Sequence, residues 1–316
     1  MNPPEIENSP LSDCSQPKRI VTLGNAFLDT ILFLPELPDK PLKMRVLDVK
    51  FTGGGIAATA ACAASQLGAD VTYWGRLGVD DIGDRIIDRL TQFKVRTDFV
   101  SRVQGGRSPM GTILVAPDGE RTALGFIGAD LGDEAEWLPL GRLDDVSAVL
   151  ADYSWWQGAR ALFEAASEKG IVSVLDADVG DLDAVHNLLA YPDHLVFSAA
   201  CLRRLTDRDD LGDALQVADD MSRGTVSVTD GARGFFWCEQ GSINHVPAFE
   251  VAAVDTNGAG DIFHGAFTLA LAEGMSIQDA ARFASAAAAL KCAHGSGWES
   301  IPDRSQVEAF LNGGQA

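Results

Sequence analysis

Long apolar runs are missing from the 316 residues: no stretch of 18 uninterrupted apolar residues occurs. The Ala-rich run at 280–293 is broken by Arg282 and Lys291, so a bilayer-spanning helix is excluded. Positive charge is also scarce, with 25 Lys and Arg against 45 Asp and Glu, a net −20. A nucleic acid or an anionic membrane needs a basic footprint, and none is present. An anionic substrate needs a local cationic site or a metal to offset this field. Cys14, Cys62, Cys201, Cys238 and Cys292 are odd in number, widely spaced and without C-x-x-C. That excludes a disulfide framework and a structural zinc site and fits a reducing, cytoplasmic compartment. His186, His194, His245 and His294 have no metal spacing. No Gly-Lys-Ser/Thr occurs, which excludes a Walker P-loop.

What is present is a globular composition, 46% hydrophobic and 22% charged, enough to bury a core. Residues 1–18 are polar, acidic and Pro-rich, lack the order of a signal peptide, and are expected to form a disordered lead-in. A single domain is expected over 19–312. Ile20 to Leu23 reads as a buried strand ending at Gly24. Residues 44–51 and 111–126 alternate, the second pair of runs flanking Pro117-Asp118-Gly119 as in a hairpin. Residues 53–68 are a Gly-rich turn leading into a small-residue helix. From about 145, strands at 146–152, 171–178, 194–199 and 225–231 alternate with helices at 156–168, 183–190 and 212–222. This rhythm predicts an α/β fold, a doubly wound parallel sheet covered on both faces. The segments at about 42–52 and 108–127 break the rhythm and are expected to form a small β-sheet lid over the sheet's carboxyl edge.

The densest chemical signal lies at 251–274. A strand is expected to end at Val254, and Asp255-Thr256-Asn257-Gly258-Ala259-Gly260-Asp261 then opens a helix. Gly258, Ala259 and Gly260 have almost no side chain, so an anion can reach their backbone N–H groups at the positive helix end. Asp261, in the first turn, is placed to accept the proton of a hydroxyl attacking a bound phosphate. Its position at a helix start favours the carboxylate form, which makes it a weak base. His264 follows one turn later and reads first as a satisfied core histidine. Asp152 and Asp178 end strands at the carboxyl edge, where they can touch sugar hydroxyls or cap turns. Trp155 and Trp156 suit stacking on a sugar or burial. The G-x-G-x-x-A at Gly53, Gly55 and Ala58 is a loose dinucleotide pattern, so an NAD-dependent dehydrogenase is a distant alternative.

DTNGAGDIFHGAF, GGGIAATAACAASQLGA with GRLGVDDIGDRII, VTDGARG, and ASAAAALKCAHGSG ending in Ile301-Pro302 resemble the signatures of the PfkB/ribokinase family of carbohydrate kinases. The resemblance spans about 19–310 and implies a Rossmann-like core with a β-sheet lid. It also implies ATP-dependent phosphorylation of a sugar's primary hydroxyl, Mg²⁺ on the nucleotide, and K⁺ in some members. Position by position, it implies Asp261 as base and Gly258, Ala259 and Gly260 as anion hole. Asp29 matches the residue gripping sugar hydroxyls, and Gly54 and Gly55 the pair lying against the sugar. Thr229, Gly231 and Gly234 match the nucleotide loop. Asp255 matches a residue of the monovalent-cation or phosphate-side network.

The chain also departs from the family. Thr59 replaces an Asn that binds sugar, and Asn257 replaces a Thr while still offering its backbone to the nucleotide side. Ser198-Ala199-Ala200-Cys201 stands where N-x-x-E is linked to magnesium. LADYSWWQGA, VLDAD and FHGAF with ALKCA are similar to the sulfofructose kinase branch. Lys43 matches a lid lysine of that branch, but Ser154 and Gly125 replace its other sulfonate-holding residues, so a neutral ketose or a sugar acid fits at least as well. A homodimer is expected from the exposed lid edges. The alternative is a sugar or nucleotide sensor that kept the fold and lost turnover.

Overall fold

The computed structural model describes residues 16–117 and 120–314. The lead-in expected at 1–18 therefore lies outside the described residues except for 16–18, which have no regular structure. Asp118 and Gly119 of the expected hairpin turn also lie outside them.

In chain order the elements begin with β1 (Arg19–Leu23), β2 (Phe27–Phe33), β3 (Asp48–Gly54), α1 (Ile56–Gln66), β4 (Asp70–Gly78) and α2 (Asp81–Gln92). There follow β5 (Arg96–Val103), β6 (Met110–Val115), β7 (Arg121–Phe126), β8 (Ala148–Asp152), α3 (Trp156–Lys169) and β9 (Val172–Ala177). Then come α4 (Leu182–His186), β10 (His194–Ser198), α5 (Ala199–Thr206), α6 (Leu211–Met221), β11 (Thr225–Thr229), β12 (Phe235–Glu239) and β13 (Ser242–Val246). The chain closes with α7 (Ala259–Ala272), α8 (Ile277–His294) and α9 (Arg304–Leu311).

The nine-stranded sheet runs β13-β12-β11-β10-β9-β8-β1-β4-β5. It is parallel from β5 to β11, as expected, and the run at 234–249, which reads as a hairpin in the sequence, adds β12 and β13 as an antiparallel edge, so the whole sheet is mixed. The physical reason is local: a short turn through Gly231–Arg233 returns β12 directly beside β11, too short for a helical crossover. One face packs on α1, α2, α7 and α8, the other on α3, α5 and α6. The small residues of α1 have a packing cause. A Cβ at Gly265 of α7 would lie 2.3 Å from the Ala60 carbonyl oxygen, so the two helices meet at backbone distance.

The lid is a four-stranded sheet ordered β3-β2-β6-β7. Its strands β6 and β7 fall where expected. The first segment is shifted: residues 42–47 are irregular, and the strand is β3. β2 went unforeseen because FLDTILF carries apolar residues on both faces and reads as a continuation of β1. No strand ends at Val254. Residues 251–254 lack a neighbouring strand, and the Val254 N–H instead donates to the Cys292 carbonyl at 2.7 Å.

Candidate active site

β1 sits where the strand order reverses, with β8 on one side and β4 on the other. Ligands of open α/β sheets bind at the carboxyl ends flanking such a reversal. There the core and the lid enclose a cavity of about 790 Å³, the size of a small-molecule site. Asp29, Gly54, Gly55, Thr59, Asp152, Asn257, Gly258 and Asp261 all line it.

Asp29 reaches the cavity from β2, between Thr52 of β3 and Gly111 of β6. Cβ atoms at Gly54 and Gly111 would stand 2.0 and 2.2 Å from its carboxylate oxygens, so glycine at both positions makes room for it. Burial lifts its pKa to about 6. Gly54→Ala is expected to displace Asp29 and lower kcat/KM for sugar roughly 10²-fold, with nucleotide affinity unchanged. Titration calorimetry with sugar and with ADP checks this; a loss of both affinities would mean general damage.

Asp152 belongs to the framework. One of its oxygens accepts from Asn25 N (3.0 Å) and Ala57 N (3.1 Å), and the other from the backbone and hydroxyl of Ser154. It ties the β1 turn to the start of α1 and leaves little of its carboxylate for a ligand. Burial holds its pKa up at about 6, against the pull of these bonds. Thr59 is likewise engaged, accepting the Trp298 indole N–H at 2.9 Å. The Trp298 backbone N–H donates to Thr52 Oγ1 at 3.1 Å, and a Cβ at Gly53 would strike the ring at 2.2 Å. Of the G-x-G-x-x-A glycines, Gly53 thus faces Trp298 and Gly55 the Asn25 carbonyl, at the end of a lid strand, which is not the placement of a dinucleotide fingerprint.

Gly258 has φ +74°, the left-handed conformation that suits glycine, and sets the first turn of α7. Among the described residues no acceptor takes the N–H groups of Gly258, Gly260 and Asp261, while that of Ala259 donates to the Thr256 carbonyl at 3.3 Å. A Cβ at Gly260 would meet no protein atom within 4 Å. Free amides, open space and a helix N-terminus together suit an anion and form the candidate anion cradle.

Asp261 stands at this turn with its pKa pushed well up. Burial is the main cause, followed by the negative charge of Asp176, with smaller contributions from Asp178 and Asp152. Burial among carboxylates outweighs the helix end, so the carboxylate form is not favoured as the sequence suggested. The opposing charge is His264. Its Nδ1 lies 2.7 Å from the Gly260 carbonyl and 3.0 Å from Asp176 Oδ2, and its Nε2 lies 3.2 Å from the Val196 carbonyl. Both nitrogens face only acceptors, so both carry protons and the ring is a cation. His264 is a core histidine, as expected, but an ionised one.

Asp255 Oδ1 accepts from Asn257 N (2.8 Å) and from Arg121 Nη1 (3.1 Å), while Arg121 Nη2 donates to Thr256 Oγ1 at 3.0 Å. Arg121 begins β7, so it latches the lid to the anion cradle. The buried Lys291 donates to the Asp255 carbonyl from the other side at 2.9 Å. Arg121→Ala is expected to cost under about 1 kcal/mol of stability, because the pair is partly exposed. It should also raise ATP hydrolysis in the absence of sugar, since an unlatched lid admits water. Comparing ADP release with sugar phosphate formed tests this; unchanged coupling would remove the latch role.

Thr229 ends β11, two strands beyond β9, Gly231 and Gly234 follow it on the same carboxyl edge, and none of the three lines the cavity. Lys43 is exposed and also outside it.

The profile of the pfkB family carbohydrate kinases matches residues 17–304. The chain belongs to this family. Its activity is phosphoryl transfer to a sugar hydroxyl. This kinase is 27% identical to the ribokinase of Haemophilus influenzae over 93% of its own length and 98% of the relative's. It is 29% identical to the ATP-dependent ribose-1-phosphate kinase of Halopiger xanaduensis, again over 93% and 98%. The fold matches a crystal structure from Agrobacterium tumefaciens, provisionally called a ribokinase, with TM-score 0.90, 31% identity, and 94% and 98% of the two chains covered. It also matches Arabidopsis thaliana ribokinase complexed with ribose and ATP, with TM-score 0.83, 24% identity, and 95% and 100% covered.

Sequence reasoning overlooked Arg121, Trp298 and the roles of Lys291 and Asp176 in this kinase. Only Lys291 left a trace, as the charge that ends the small and apolar run 284–290 of α8. Among the described residues no helix is long and apolar enough to cross a membrane.

Proposed function

We propose that this kinase transfers the γ-phosphoryl group of ATP to a primary hydroxyl of a small neutral sugar. The observation that carries the reading is a cavity lined by Asp29, Gly258 and Asp261, where among the described residues the N–H groups of Gly258 and Asp261 have no acceptor. Asp29 accepts sugar hydroxyls against the backbone of Gly54 and Gly55. Asp261 orients the attacking hydroxyl and takes its proton. The amides stabilise the charge that grows on the transferring phosphoryl group. Thr229, Gly231 and Gly234 hold the nucleotide from the neighbouring strand end, with Asn257 on the phosphate side.

Neutrality follows from charge. Seven carboxylates and two cations line the cavity. Arg76 is committed to Asp133 at 3.3 Å, to the Gly132 carbonyl and to the face of Trp155, and Lys291 to Asp255. An anionic sugar therefore meets no free partner, and with Lys43 outside the cavity this argues against a sulfonated substrate.

Mg²⁺ supplies charge neutralisation on the nucleotide phosphates. The described residues contain no cluster of three metal-ligating side chains. Ser198 spends its hydroxyl capping α5 at the Cys201 N–H (3.2 Å). This set fits an ion carried by phosphates and water with at most one carboxylate, and Asp178 at the cavity rim is the candidate. The lid exposes Val49 and Phe51, with β3 and β7 as open edges. A second copy of the chain pairing there gives a homodimer, which sedimentation velocity measures. The thiols of Cys62, Cys201, Cys238 and Cys292 are free, consistent with a cytoplasmic setting.

The deciding experiment measures ADP release with MgATP across pentoses, ketohexoses, aldoses, sugar acids and sulfofructose. A rate confined to neutral sugars is expected. A preference for an acidic sugar would overturn the neutral reading, and tight binding without turnover on any sugar would favour a sensor.

A further inference from the structure

Lys291 is an ammonium with almost no contact with bulk water, 1% exposed, in the last turn of α8. Every other residue of that helix from Ala284 to Leu290 is small or apolar. A buried lysine is costly, and burial lowers its pKa, with Asp255 opposing the shift. It is held by the Asp255 carbonyl at 2.9 Å and lies 3.7 Å from the Asp255 carboxylate. It also lines the cavity beside Asn257 and Gly258.

The oxygens around Asp255 do not suit a monovalent metal. The carbonyl and one carboxylate oxygen already face the ammonium, and the other carboxylate oxygen is taken by Arg121 and Asn257 N. The nearby Cys292 carbonyl accepts two backbone N–H groups, from Val254 (2.7 Å) and Asp255 (3.2 Å). A metal ion would have to share these donors with two fixed cations, at a cost in repulsion. The expectation that Asp255 is a metal ligand therefore does not fit these residues.

We infer that Lys291 is a built-in cation of the anion cradle: it neutralises Asp255, stiffens the 254–258 turn and makes the kinase independent of K⁺. The inference rests on the proposed phosphate-side role of the Gly258–Asp261 turn. Lys291 is a positioning residue here. It acts through Asp255 and the turn, by holding the backbone whose amides meet the phosphoryl group.

The test has three arms. Turnover of the unaltered enzyme is measured in K⁺, Na⁺ and tetramethylammonium chlorides at constant ionic strength, and rates within about twofold are expected. Activation by K⁺ of roughly tenfold or more would overturn the inference. In the second arm, Lys291→Met, close in length and apolar, is expected to weaken ADP binding by calorimetry and to lower kcat, each roughly tenfold or more. In the third arm, K⁺, NH₄⁺ or methylammonium is expected to restore part of that loss. A variant that melts earlier yet keeps full ADP affinity and kcat would show a purely structural lysine and sink the idea. The calorimetric arm needs no sugar. If no sugar is turned over but ADP binding still depends on Lys291, the catalytic reading fails while this one stands.

Discussion

Asp261→Asn is expected to lower kcat by roughly 10²–10⁴-fold, the usual worth of a positioned general base, while sugar and nucleotide affinities change little. The substitution keeps the shape of the side chain and removes only its ability to take a proton. The pH dependence carries the finer prediction. Burial and the charges of Asp176, Asp178 and Asp152 raise the Asp261 pKa, and His264 only partly offsets them. A base of raised pKa is protonated earlier on acidification, so the acid limb of kcat/KM lies well above the ordinary carboxylate range near 4. Steady-state rates from pH 4 to 9 decide it. An acid limb at the ordinary carboxylate value, or an Asn variant that keeps its rate, would remove Asp261 from the role of base.

His264→Ala is expected to cost about 3–5 kcal/mol of folding stability, because it leaves Asp176 buried without its counter-charge. Urea unfolding at pH 7 measures the loss, and a loss below about 1 kcal/mol would mean that the pair contributes little. The sign with pH is fixed. Burial alone would lower the His264 pKa. Asp176, with the Gly260 and Val196 carbonyls, overcomes it and holds the value at about 9, above the ordinary 6.5. The stabilisation is therefore fully present below pH 6.5 and is lost as pH rises through about 9. The variant should lack this alkaline loss. It should also shift the acid limb of kcat/KM to still higher pH, because the cation that restrains Asp261 is gone. A structural histidine without charge would move neither limb.

Much of the site was legible because it is local in sequence. The Gly258–Asp261 turn needs only seven consecutive residues to place amides and a carboxylate at a helix start, and the helix begins at Ala259 as that reading requires. The strand rhythm from 145 onward is likewise local, and β8 to β11 fall within one or two residues of expectation. Asp29 was reached through resemblance alone. Its strand alternates poorly, and its carboxylate acquires meaning only from Gly54 and Gly111, one on each neighbouring strand.

The sequence by itself determined the fold class and the glycine-rich helix start at 258–261, because hydrophobic period, glycine and helix polarity act over a few residues. Only the tertiary structure decided the charge states. Asp261, Asp176 and His264 belong to two elements, and their proximity sets the Asp261 pKa against the helix-end effect. It also decided that Asp152 and Thr59 brace the frame and that Lys291 and Arg121 bracket Asp255. Electrostatic energy depends on distance and on exclusion of water, and neither quantity is written along the chain.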